Sequence, residues 1–154
     1  MFKNQRYAQA LVAFQRAGKS RVVAICHAFL LRENARAVPD DQVKERADAF
    51  TEAGVAFSTC ASHASLPDQK GERVAYYTNA AGCFVQGGRL KEAGDCFVHV
   101  EKYSKAARAY REGAHFDEMV EVLEGHKDEI EPSLLAQLKK VAQMHYFKVG
   151  YRQL

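Results

Sequence analysis

The 154-residue sequence predicts an all-α protein, a stack of about eight short antiparallel helices wound into a right-handed solenoid. Three observations predict it. The chain is rich in Ala, Leu, Glu, Lys, Arg and Gln, all good helix formers, and prolines stand only at Pro39, Pro67 and Pro132. Apolar residues in the second half recur at a fixed step of thirteen. Glycines fall where that step requires the chain to turn.

The step is carried by three parallel series: Leu90, Tyr103 and Phe116; Ala93, Ala106 and Met119; Phe97, Tyr110 and Leu123. Offsets of three and seven put each set on one helix face, and one period holds about ten helical residues plus a tight turn. The turns carry Gly87-Gly88 and Gly113, which are expected in the left-handed conformation that closes a helix. Helices this short are marginal alone, so each must bury its apolar face on its neighbours.

The same spacing opens the chain. Tyr7, Ala10, Phe14 and Ala17, followed by Gly18, repeat the pattern of Leu90, Ala93, Phe97 and Val100 and predict a first helix. Longer helices follow over 19–86, in the segments 19–37, 41–62 and 69–86, separated by Pro39-Asp40 and by Leu66-Pro67-Asp68. Short helices occupy 89–126. Pro132, suited to a first turn, opens a terminal helix over 132–151. With 47% hydrophobic and 27% charged residues, 1–154 has the balance of one globular domain.

At Phe84, Gly88, Leu90, Ala93 and Phe97 the register resembles the tetratricopeptide (TPR) repeat, which places an aromatic, a turn glycine and then aromatic, alanine and aromatic residues in this order. The wider run from Arg6-Tyr7-Ala8-Gln9-Ala10 through Phe14-Gln15-Arg16-Ala17-Gly18 to Ala28-Phe29-Leu30-Leu31-Arg32-Glu33 is similar to the TPR-like region of large fungal UvrD-type helicase-related proteins, themselves similar to animal TPR and ankyrin repeat-containing proteins. The resemblance implies a TPR-like fold, a protein-binding or scaffolding role, and a chain that is the helical-repeat piece of a larger protein.

Chemistry is sparse. Gly18-Lys19-Ser20 ends like a phosphate-binding loop, but Ala13 stands where the first glycine belongs, inside a predicted helix and without a preceding strand. Cys60-Ala61-Ser62-His63 and Cys96-Phe97-Val98-His99 each put a thiol and an imidazole one turn apart, as two zinc ligands require. Cys83 and Cys96, however, directly precede repeat phenylalanines, at the position held by Ala13, Ala109 and Val122 elsewhere, so they are expected to be small core residues. No nucleophile–base constellation or Gly-x-Ser-x-Gly motif is present, and acids such as Asp117, Glu121 and Glu124 are expected on a solvated face. The chain is therefore expected to be no enzyme, with no cofactor and no small-molecule substrate.

Charge supplies the one hint of a binding face. From Met1 to Ala37 seven basic residues oppose the single acid Glu33, a net +6, whereas Glu112 to Glu131 carries eight acids against Lys127. Arg16, Lys19, Arg21, Arg32 and Arg36 are the candidate contacts, to a protein partner or to a neighbouring domain of the same chain. The alternative is a nucleic-acid accessory domain using these basic helices. Stacking aromatics are scarce for that role, because Tyr7, Phe14, Tyr103 and Tyr110 are core positions and Tyr76-Tyr77 and Tyr146-Phe147 should offer one outward ring each at most. No apolar run is long enough for a membrane span or a signal peptide, and the four cysteines are widely spaced. An intracellular location, cytoplasmic or nuclear, is expected.

Overall fold

A computed structural model describes residues 8–9 and 20–153, and every regular element among residues 20–153 is helical. Residues 20–153 hold seven α-helices: α1 (Ser20–Ala37), α2 (Val43–His63), α3 (Lys70–Gln86), α4 (Leu90–His99), α5 (Tyr103–Glu112), α6 (Phe116–Gly125) and α7 (Pro132–Gln153). Single 3₁₀ turns stand at Pro67–Gln69 and Lys127–Glu129. The count over residues 20–153 is seven rather than about eight; of the expected first helix only Ala8 and Gln9 are described, both helical, and its core positions Tyr7, Ala10 and Phe14 lie outside the described residues. The chain forms two compact units, Met1–Arg89 and Leu90–Leu154.

In the first unit α2 packs on both α1 and α3. Its face of Phe50, Ala53, Phe57 and Ala61 is buried, and it meets Ala28 and Ala35 of α1 and Tyr77, Ala80, Ala81 and Phe84 of α3 in the same core. Small residues let the helices approach closely. A Cβ built on Gly54 would lie 2.8 Å from the Phe84 ring, so only glycine fits there without displacement. Two starts differ from expectation: α2 begins at Val43 because Asp40-Asp41 complete the turn after Pro39, and Pro67–Gln69 form a 3₁₀ turn ahead of Lys70. An N–H···O bond from Gln69 to the Leu66 carbonyl, 2.9 Å, closes that turn.

The second unit carries the thirteen-residue step. α4, α5 and α6 are each ten residues long and begin at Leu90, Tyr103 and Phe116. Ala93, Ala106 and Met119 are fully buried, Tyr110 and Leu123 nearly so, and Phe97, Tyr103 and Phe116 pack partly buried against the same cluster. Leu90 is half-buried. Cys83, Cys96, Ala109 and Val122, at the same step, are all buried, the place expected of them as small core residues. Burial pushes up the thiols of Cys60 and Cys83, and pushes that of Cys96 to about 12.

The turns repeat as closely as the helices do. The N–H groups of Arg89, Lys102 and His115 donate to the carbonyls of Phe84, Phe97 and Tyr110 at 2.8, 2.9 and 2.7 Å, each five residues back. Those of Gly88, Glu101 and Ala114 donate to Val85, Val98 and Arg111 at 3.1, 3.0 and 3.0 Å. This is one Schellman closure used three times, with a left-handed residue at φ 74°, 61° and 60° for Gly88, Glu101 and Ala114. Glycine was expected to take that conformation at Gly113; instead Gly113 has φ −85° and Ala114 takes it. The side chain of His115 and Leu90 Cβ would each be 2.8 Å from a Cβ at Gly113, so close packing explains that glycine.

Helix α7 docks through Leu134, Leu138 and Ala142. Beyond that buried stripe Tyr146 and Phe147 are both exposed, correcting the expectation of at most one outward ring. No helix among the described residues is long and apolar enough to cross a membrane.

Candidate functional site

Of the five expected basic contacts, the structure brings two together. Arg32 and Arg36, one turn apart on α1, line a groove of about 320 Å³ together with Arg46 and Phe50 of α2 and Thr78, Asn79, Gly82, Cys83 and Gln86 of α3. None of these lining residues is acidic. Arg21, about three turns earlier on α1, pairs instead with Glu72 of α3, both half exposed. Arg16 and Lys19 lie outside the described residues.

Arg32 is held by α1, α2 and α3. Its guanidinium carbon lies 4.9 Å from the centroid of Phe29 and 5.6 Å from that of Phe57, rings that themselves meet edge to face at 5.0 Å. Nη1 donates to Asn79 Oδ1 at 2.8 Å. Nε is buried and has no hydrogen-bond partner among the described residues. A buried, unsatisfied donor on a cation costs free energy unless something accepts from it.

Arg36 is half exposed and bonds Glu33 at 2.9 Å; Glu33 also stands 3.9 Å from Arg32 Nη2. Arg46 was not anticipated as a site residue. Its Nη1 donates to the carbonyls of Val38 at 2.8 Å and Arg36 at 3.2 Å, closing the end of α1, and its guanidinium lies 5.2 Å from the Phe50 centroid. No local sequence signal singles it out, since Lys44 in the first turn of the same helix is equally basic and does not line this groove. Its exposed neighbour Asp40, 3.6 Å away, neutralises it little.

Gly82 forms part of the groove wall. A Cβ built there meets nothing within 4 Å, so its lack of a side chain leaves the groove open rather than relieving a clash.

No family model matches the chain, and neither any curated protein nor any solved structure does. The site therefore stands on its own geometry.

The second unit has a depression of opposite sign, about 370 Å³, lined by Asp95, Glu118 and Glu121 with His99, His126 and Tyr110. Tyr110 uses its hydroxyl on Asp95, and His126 stacks on Tyr103 at 3.5 Å. Among the described residues no group of three or more His, Cys, Asp or Glu side chains is placed to hold a metal ion. Cys60 and Cys96 are buried free thiols.

Proposed function

We propose that the chain is a TPR-like helical-repeat module, coiled as a right-handed solenoid, that holds an acidic segment of a protein partner or of a neighbouring domain. It acts by binding and not by catalysis. The observation that carries this proposal is the convergence of Arg32, Arg36 and Arg46 on a groove whose lining contains no carboxylate. Helix and turn repetition at one thirteen-residue step supports the repeat architecture, since identical closures stack short helices in a regular way. On the resemblance of the 6–33 run noted in its sequence, we read the module as one part of a larger helicase-related protein. Free buried thiols support a reducing, intracellular location in cytoplasm or nucleus.

A nucleic-acid role is the second candidate, because guanidinium groups also bind phosphodiesters. Single-strand recognition combines such groups with exposed rings for base stacking, and among the described residues the one ring lining the groove, Phe50, is buried. Protein is favoured on that ground. The test is affinity capture from cell extract with the wild-type chain and with Arg36→Glu, followed by identification of what each retains. The proposal expects proteins bearing acidic segments to be kept by the wild type and lost from the variant. Equal retention by both, or retention of nucleic acid alone, would overturn it.

A further inference from the structure

We infer that the Arg32–Arg36–Arg46 groove is built for a phosphomonoester, a phosphorylated side chain on the bound segment. The inference rests on the protein-binding role proposed above and specifies its ligand. Charge is the first ground. Three guanidinium groups line the groove; the largely buried Glu33 offsets one of them, and Asp40, 3.6 Å from Arg46 but almost fully exposed, offsets little, so close to two charges remain uncompensated. A single Asp or Glu of a partner supplies one negative charge, whereas a phosphorylated side chain supplies about −1.5 to −2 at neutral pH.

Donor geometry is the second ground. Arg32 lines the groove, with an Nη2 that reaches only a distant Glu33 oxygen and an Nε that is buried and unpartnered, and Arg36 and Arg46 line the same groove with further N–H groups. The amide of Asn79 and the hydroxyl of Thr78 stand on the facing helix. Thr78 donates to the Val74 carbonyl at 2.7 Å, leaving the guanidinium forks as the charged donors. Three acceptor oxygens on a tetrahedral phosphate can take bonds from three separate forks; a planar carboxylate matches one fork.

Preorganisation is the third. Rings on both α1 and α2 and the Asn79 oxygen fix Arg32, and the carbonyls at the end of α1 fix Arg46, so the donors do not have to be ordered when ligand arrives. Gly82 keeps the entrance open without any steric need for glycine in its own surroundings.

The experiment titrates the full chain with short Gly/Ala peptides carrying one central phosphoserine, glutamate or serine, followed by fluorescence anisotropy and by the arginine Nε–Hε resonances. A single-stranded RNA oligomer is a fourth arm. The phosphoserine peptide is expected to bind about tenfold more tightly than the glutamate peptide, the value of one additional charge-assisted hydrogen bond, and to shift the Arg32 Nε–Hε signal. That advantage should shrink below about pH 6, where the phosphate takes up its second proton. Gly82→Glu places a carboxylate in the open groove and should abolish binding while the fold persists; Arg36→Gln, at an exposed side chain, provides the same check by removing a donor. Equal affinity for phosphoserine and glutamate peptides would overturn the phosphate inference and leave the acidic-segment role standing. Failure of both peptides to bind would overturn both. Tighter binding of RNA than of the phosphoserine peptide would overturn the inference in favour of a phosphodiester ligand.

Discussion

The hydroxyl of Tyr110 on α5 donates to Asp95 Oδ1 on α4 at 2.5 Å, joining two consecutive repeat helices through a residue that is otherwise buried in the core. Tyr110→Phe keeps the ring and removes the bond, so it should lower stability by about 1 kcal/mol. Burial first, and then the bond to Asp95, raise the Tyr110 pKa above its ordinary 10.0. A group whose folded pKa is raised stabilises fully below its unfolded value and loses that contribution as pH climbs past it. Melting temperature should therefore fall above about pH 10 in the wild type, and fall less steeply in Tyr110→Phe.

Two helical glycines should respond oppositely to the same substitution. Gly82→Ala adds a methyl into open space and should stabilise by about 0.5–1 kcal/mol, the intrinsic helix preference for alanine. Gly94→Ala would drive a Cβ to 2.4 Å from the Tyr110 ring. Overpacking of this kind costs about 1–3 kcal/mol. Thermal melts of the two variants decide it.

Much of the second unit was legible in the sequence. Its helix starts at Leu90, Tyr103 and Phe116 and its fully buried Ala93, Ala106 and Met119 follow from a period that any packed helix stack must respect. The turn chemistry was legible only at Gly88, because Glu101 and Ala114 adopt a left-handed conformation that their identity does not announce. The groove was half legible. Arg32 and Arg36 share a face by helical spacing, but Arg46 joins them through the fold of α2 onto α1, and no local pattern encodes that. Nor did spacing alone separate Arg21, which the position of Glu72 on α3 draws into a pair of its own.

Those left-handed turns make a further prediction. Glu101→Gly and Ala114→Gly should each stabilise the protein, because a non-glycine residue in this conformation carries a penalty of about 1–2 kcal/mol, offset in part by the greater unfolded-state freedom of glycine. Gly88→Ala should destabilise by about 1 kcal/mol. Denaturant midpoints of the three variants check the sign in each case.

Ala106 is fully buried in the second unit's core cluster, which also holds Tyr110 and Met119. Ala106→Asp would have to bury a carboxylate with no cation beside it in that cluster, at a cost of several kcal/mol. Hydrogen exchange should show α4–α7 losing protection. Unchanged protection would contradict the thirteen-residue register.

The central claim, that the arginine groove receives an acidic protein segment, is tested most directly by competition at the groove itself. A labelled Asp/Glu-rich peptide is titrated into the wild type, Arg36→Glu and Gly82→Glu at low and moderate salt, with single-stranded RNA as competitor. The account predicts salt-sensitive binding to the wild type, loss of it in both variants while each remains folded, and weak displacement by RNA. Binding that survives both substitutions, or an RNA competitor that displaces the peptide at lower concentration than the peptide itself, would contradict it.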